Sequence, residues 1–253
     1  MGFVIVVPAR YGASRLPGKP LADIGGKPLI WHVHARAVAA GADEVVIATD
    51  DVRIADVARG FGATVCMTSP SHPSGTDRLA EVVAQRGYEP DRIIVNLQGD
   101  EPLMPAVVLQ QVAKNLADKR DAVMATICEA IVDPAQLFAP SVVKVVMDQQ
   151  GYALYFSRAP IPWDRDGFAV TQQSSLSSRV AHYRHIGLYA YRAGFLREYV
   201  QWQPAAVEQA EALEQLRVLW RGYRIHVAEA VAQTQPGVDT PEDLARVRRA
   251  LTP

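Results

Sequence analysis

Cysteine is nearly missing from this chain of 253 residues, which carries only Cys66 and Cys128. A pair so far apart supplies no disulfide framework, and both lie in apolar surroundings, so they read as buried thiols. An excess of charge is missing too. With a net charge of −1, no overall field draws the chain to nucleic acid or to an anionic membrane, and any nucleotide specificity must come from a local site. No apolar stretch reaches the length of a membrane span. The N-terminus shows no basic region, long apolar run or cleavage site, which leads to the expectation of a cytoplasmic protein. The usual phosphate loops are missing as well. Lys19 is followed by Pro20, and Gly25-Gly26-Lys27-Pro28 has no hydroxyl residue after its lysine, so neither is a Walker A loop. No G-x-G-x-x-G follows the first apolar run.

What is present is an apolar run, Phe3-Val4-Ile5-Val6-Val7, that stops at Pro8 and opens into a loop carrying Arg10, Arg15 and Lys19 among Gly12, Gly18, Pro17 and Pro20. Without polar alternation the run reads as a buried central strand. Its loop then lies beyond the strand's carboxyl end, where open α/β sheets bind ligands. Three cations there suit phosphate oxygens. A composition of 49% hydrophobic and 21% charged residues is enough to bury one large α/β core, or a main domain with an insertion.

Further along, a helix from Pro28, a strand at 45–49, a helix at 52–60 and a strand at 63–67 describe a parallel sheet with right-handed crossovers. His32 and His34 have no acidic or cysteine partners at metal spacing and read as structural. The polar loop Ser69–Arg78 leads into a helix over 77–86. Ser74 or Thr76 can cap it, and its first N–H groups either receive an anion or base carbonyl or simply end a capping loop. A strand over 92–97 ends in Gln98-Gly99-Asp100-Glu101-Pro102, a Gly-Asp turn that is either bare or a Mg²⁺ position.

A helix at 105–117 and a strand at 122–127 follow. Residues 142–147 and 153–156 read as a β-hairpin. A polar stretch over 164–181, a candidate lid, precedes His182-Tyr183-Arg184-His185-Ile186-Gly187-Leu188-Tyr189. Residues 206–221 read as one helix, followed by a strand at 225–227. Near the end, Thr240 and Pro241 open a helix with Asp239 just before the cap. That carboxylate meets a metal or favours the helix dipole.

Together these segments resemble a known family. Pro8-Ala9-Arg10 with Ser14-Arg15-Leu16-Pro17-Gly18-Lys19-Pro20-Leu21, Ser74-Gly75-Thr76-Asp77-Arg78, Gln98-Gly99-Asp100-Glu101-Pro102, Tyr155-Phe156-Ser157-Arg158, His185-Ile186-Gly187-Leu188-Tyr189, Glu214-Gln215-Leu216-Arg217 and Gly237-Val238-Asp239-Thr240-Pro241 resemble the 3-deoxy-manno-octulosonate (Kdo) cytidylyltransferases. The first loop alone would indicate only the wider sugar-nucleotide transferases. The later blocks, in the same order, are much more specific, and the resemblance runs over essentially the whole chain.

The resemblance implies a mostly parallel, Rossmann-like nucleotidyltransferase sheet flanked by helices, with an elaborated α+β lobe for sugar binding and dimerisation. It divides the chain into a nucleotide-binding core (1–128), that lobe (129–230) and a C-terminal return (231–253). It also implies a Mg²⁺-dependent, dimeric enzyme of the bacterial cytoplasm serving lipopolysaccharide assembly. In that reaction the anomeric hydroxyl of Kdo attacks the α-phosphorus of CTP, giving CMP-Kdo and pyrophosphate. Carried onto this sequence, Arg10, Arg15 and Lys19 face the triphosphate. Ala9, Ser74 and Arg78 hold the nucleotide, and Asp100 and Asp239 ligate magnesium. Gln98, Arg158, His185, Tyr189, Glu214 and Gln215 line the sugar pocket, with Arg158 receiving the acid's charge. Asp77 stands where the family often has Glu, and Gly12-Ala13 precede Ser14 without displacing any cation. A relative using another sugar acid, and a nucleotide-binding regulator without catalysis, are the competing readings.

Overall fold

The computed structural model describes residues 2–12, 16–72, 74–168, 176 and 179–251. Strand β1 (Phe3–Ala9) is buried at every position but Pro8. It pairs in parallel with β4 (Glu44–Thr49) on one side and β6 (Ile93–Asn96) on the other, and β5 (Thr64–Met67) extends the sheet beyond β4. A short ribbon, β2 (Asp23–Ile24) with β3 (Lys27–Pro28), lies outside this sheet. Successive side chains of β1 go to opposite faces, so both faces need cover. Phe3, Ile5 and Val7 join a core with α1 (Leu29–Ala39), α2 (Val52–Gly60), α4 (Ala106–Asp118) and α9 (Pro241–Leu251). Val4 and Val6 join a second core with α3 (Gly75–Arg86) and α6 (Ala193–Tyr199).

The remainder of the sheet breaks the parallel pattern. Strand β10 (Tyr183–Arg192) runs antiparallel between β6 and β7 (Ala122–Ala130), while β11 (Arg224–Glu229) lies parallel on β7. The order is β11-β7-β10-β6-β1-β4-β5. The expected hairpin is present as β8 (Lys144–Met147) and β9 (Ala153–Ser157), attached through β8 to the start of β10. After β7 comes the short α5 (Pro134–Phe138). The mostly parallel, helix-flanked α/β sheet is therefore as expected. Because β10 of the 129–230 stretch sits between strands of the 1–128 stretch, the two share one sheet.

One expectation needs correction. Residues 206–221 are not a continuous helix but α7 (Ala206–Glu211) and α8 (Gln215–Trp220), separated at Ala212, which is left-handed with φ 51. Helix propensity and apolar spacing suggest continuity; tertiary contacts described below override them. The capping expectation at α3 resolves to Ser74, whose hydroxyl accepts from the Asp77 amide at 3.2 Å. Both cysteines are buried and unpaired, and burial pushes the Cys128 thiol up to about 12. No described helix is long and apolar enough to cross a membrane. Of the candidate lid, residues 169–175, 177 and 178 lie outside the described residues.

Candidate active site

The parallel strands β1 and β6 end side by side, and their exits form a cleft lined by Ala9, Arg10, Lys19, Gly75, Gln98 and Asp100, among others. Close approach is possible because residue 99 is glycine: a Cβ there would lie 2.6 Å from the Pro8 carbonyl oxygen. On the far wall, Gly18 adopts φ 71 and donates its N–H to the Tyr11 carbonyl at 2.9 Å, closing the loop. The Arg53 guanidinium stacks 3.3 Å over the Tyr11 ring. Asp51 holds that guanidinium at 2.6 Å, and this hydrogen bond keeps the Asp51 carboxyl below its ordinary range. The loop's return is thereby fixed, and Lys19 begins a single 3₁₀ turn over Lys19–Leu21. Arg10 reaches across to the His72 carbonyl at 2.8 Å. Arg15, expected beside these cations, lies outside the described residues.

Lys19 joins the carboxylates expected to hold metal. Its Nζ is 2.6 Å from Asp100 Oδ2 and 3.3 Å from Asp239 Oδ1, although the two aspartates are far apart in sequence. The C-terminal segment is brought back by the Val238 amide, which donates to the Asp100 carbonyl at 2.8 Å. Asp239 is then set by a capping arrangement at α9. The Thr240 hydroxyl accepts from the Asp243 amide, and the Asp243 carboxylate accepts from the Asp239 and Thr240 amides. A pair of hard carboxylates converging on one small cation is a donor set that fits magnesium. Among the described residues no group of three or more His, Cys, Asp or Glu is placed to hold a metal ion by itself, and magnesium completes its shell with substrate phosphates and water. Beside Asp100, burial and the neighbouring carboxylate push Glu101 up to about 8.

A larger cavity of about 340 Å³ adjoins the cleft, sharing Gly75 and Gln98 with it. Four of the expected sugar residues, Gln98, Tyr189, Glu214 and Gln215, line it. Thr76 turns from the start of α3 to donate to Glu214 Oε2 at 3.0 Å, while burial raises the Glu214 carboxyl. The break at Ala212 forms this wall. Glu211 accepts from the Ser157 hydroxyl at 2.6 Å and from the Arg158 amide at 2.9 Å. The Arg158 side chain donates to the Glu211 carbonyl at 2.7 Å and to the Pro140 carbonyl at 3.0 Å. Beneath it, the buried Lys144 ammonium donates to the carbonyls of Ala139, Val142 and Arg158. These contacts clamp the chain at 211–212 and turn residues 213–215 into the cavity.

Other expected residues are placed differently. Arg158, engaged in this clamp, is set back from the cavity, and so is His185. The His185 ring meets Thr126 Oγ1 at 3.0 Å and packs against Phe156 and Tyr189. Burial lowers its pKa to about 3, so it stays neutral at ordinary pH. The Arg78 side chain is 0% exposed, bonded to Thr68 Oγ1 at 2.5 Å and paired with Asp50 at 3.0 Å. It braces the exit of β4 against α3. Sequence reading missed Thr76, Asn96, Tyr191 and Tyr199, which all line the cavity. Tyr191 carried a signal, since it lies two residues beyond Tyr189 on the same strand face. Asn96 was the polar residue ending an apolar run, whereas nothing local marked Tyr199.

Comparison with known proteins identifies the family. The cytidylyltransferase family matches residues 4–225. A 3-deoxy-manno-octulosonate cytidylyltransferase of Aliivibrio fischeri is 58% identical over 252 residues, covering 100% of both chains. Its namesake in Idiomarina loihiensis is 56% identical over 249 residues, 98% of each chain. Among solved structures, a CMP:2-keto-3-deoxy-manno-octonic acid synthetase complexed with CTP superposes with a TM-score of 0.89 at 45% identity, covering 99% of this chain and 98% of the other. The chain belongs to the 3-deoxy-manno-octulosonate cytidylyltransferase family.

Proposed function

We propose that this chain transfers the cytidylyl group of CTP to Kdo, giving CMP-Kdo and pyrophosphate. The observation that carries the reading is the meeting, at Gly75 and Gln98, of a cleft bearing Arg10 and Lys19 with a polar cavity that holds Glu214. A triphosphate suits the first and a polyhydroxylated sugar the second. The junction is where phosphorus and attacking oxygen must meet. The anomeric oxygen bonds to the α-phosphorus as the bond to the bridging oxygen breaks. That electron pair leaves with pyrophosphate, and the hydroxyl proton passes to solvent.

Arg10, Arg15 and Lys19 would neutralise the triphosphate, with Lys19 placed to follow charge onto the leaving group. Ala9 and Ser74 would hold the nucleotide along the cleft, and Arg78 would act by fixing α3 beneath it. Asp100 and Asp239 would hold Mg²⁺, which when bound neutralises phosphate oxygens and lowers the pKa of the attacking hydroxyl. Gln98, Tyr189, Glu214 and Gln215 would contact the sugar. Arg158 and His185 would support that wall from behind. In this division 1–128 binds nucleotide, 129–230 shapes the sugar site, and 231–253 returns Asp239 to the core.

The chain is further proposed to act as a homodimer in the bacterial cytoplasm, in lipopolysaccharide assembly. Support for pairing comes from exposed Leu154 and Tyr155 on β9, with exposed Val132 and Val180 near the same end of the sheet. The unpaired thiols suit a reducing compartment.

Pyrophosphate release is the test, with CTP, Mg²⁺ and a panel of sugar acids, and with other nucleotides replacing CTP in turn. Release that requires CTP, Kdo and Mg²⁺ together is expected. Release with a different acid would overturn the substrate. No release, with CTP still bound, would leave a nucleotide binder.

A further inference from the structure

The segment that receives Arg10 is tied to α3 by two carboxylates that the reaction described above does not use. Asp77 and Glu81 are four residues apart and so share one face of α3. Asp77 Oδ2 accepts from the Ser74 hydroxyl at 2.6 Å. Glu81 takes three donors: the Ser69 amide at 2.8 Å, the Gln85 side-chain amide at 2.8 Å, and the His72 ring through Nε2. Burial works against a charge there, yet the bonds from Ser69, His72 and Gln85 outweigh it and hold the Glu81 carboxyl below its ordinary value. An ionised carboxylate only accepts, so the His72 nitrogen that meets it must donate. A glutamine at 81 would offer one oxygen where three donors converge, and would turn its own N–H groups against them.

Glu81 and His72 do not line the cleft with Arg10 and Lys19. They line a separate cavity of about 280 Å³ beside α3 and the end of α6, with Arg197 and Gln201. What connects them to the cleft is backbone: the His72 carbonyl accepts from the Arg10 guanidinium at 2.8 Å. A guanidinium carries five N–H donors, so one bond to a carbonyl orients the group and leaves others for phosphate oxygens. An exposed arginine otherwise samples many rotamers, and fixing it beforehand spares that loss of freedom when an anion arrives.

We propose that Glu81 is a positioning residue for nucleotide binding: through the His72 ring it holds the carbonyl that aims Arg10 at the triphosphate. This rests on the proposed role of the cleft. A double-mutant cycle tests it, with CTP affinity read by calorimetry in Mg²⁺ buffer for wild type, Glu81→Gln, Arg10→Ala and the two combined. Glu81→Gln should weaken CTP binding about tenfold and have no further effect once Arg10→Ala is in place. The KM for Kdo at saturating CTP should stay as in the wild type. A carboxylate that served only stability would lower the Tm and act equally in both backgrounds. Additive losses, or an unchanged CTP affinity in Glu81→Gln, overturn the proposal while the cleft reading stands. If Glu81→Gln does not fold, His72→Ala, which removes the ring and keeps the carbonyl, carries the same cycle. An Arg10→Ala protein that binds CTP like the wild type overturns the role of Arg10, and this assignment with it. A wild type that binds no CTP overturns the proposed function itself.

Discussion

Glu211 does not line the cavity, yet if that cavity takes the sugar as proposed, the geometry predicts that Glu211 governs its binding. Its carboxylate accepts from the Ser157 hydroxyl and the Arg158 amide at 2.6 and 2.9 Å. Hydrogen bonds to a charged group contribute about 1.5–3 kcal/mol each, so Glu211→Ala removes roughly 3 kcal/mol or more of support. Opposing that support is Ala212, whose left-handed backbone costs a residue with a Cβ about 1–2 kcal/mol. With Glu211 gone, the strain at 212 favours resumption of the helix, which would carry Glu214 and Gln215 away from the cavity. An apparent affinity falls by the fraction of molecules still correctly folded at the site. The expected result is a KM for Kdo raised about 10- to 100-fold, with the KM for CTP little changed. The companion change Ala212→Gly relieves the strain and should stabilise the protein by about 1 kcal/mol, a rise of about 2–4 °C in Tm. Steady-state pyrophosphate release and a thermal melt measure both. An unchanged KM for Kdo in Glu211→Ala, or equal losses for Kdo and CTP, would refute the coupling of the clamp to the sugar wall.

Three further expectations concern the cleft. Lys19→Ala should lower kcat about 100-fold or more if the ammonium stabilises the leaving pyrophosphate; an unchanged kcat in single-turnover assays would remove that role. Gly99→Ala places a Cβ 2.6 Å from the Pro8 carbonyl oxygen, so chemical denaturation should show a loss of about 1–3 kcal/mol, and wild-type stability would contradict the close approach. Glu101 supplies a pH test in metal-free buffer. Its carboxyl is raised from 4.5 to about 8, so across that window the native state holds a proton that the unfolded state has lost. Its contribution to stability therefore falls as pH rises, by at most about 1.4 kcal/mol per unit, and levels off above the folded value. Glu101→Gln should remove this slope; parallel stability–pH curves for the two proteins would contradict it.

The parts of this molecule legible in the sequence are those specified by neighbours in the chain. The uninterrupted apolar β1 implies a strand covered on both faces, and alternating helices and strands imply parallel crossovers. Ser74 before α3, and Thr240-Pro241 with Asp243, are capping patterns complete within four residues. Long-range decisions were not legible in this way. Periodicity could not place β10 antiparallel between β6 and β7, because its pairing partners lie far away in the chain. Nor could it break the 206–221 helix at an alanine, since the groups that impose the break come from residues 157 and 158.

The same distinction separates the residues of the site. Motif resemblance identifies which side chains belong together but not the layer each occupies. Gln98 and Glu214 reach the cavity itself, whereas Arg158 is spent on backbone carbonyls and Arg78 on Asp50 and Thr68. For a buried guanidinium such as Arg78, charge demands a partner before it can serve a ligand, and the fold supplies that partner. Lys19 is the opposite case. Its partners Asp100 and Asp239 are themselves suited to a metal, so the cation that links them is one that phosphate and metal together could replace. A charged residue's place in a motif therefore says less about its role than whether its counter-charge is structural or exchangeable. In this fold that difference separates Arg78 from Lys19.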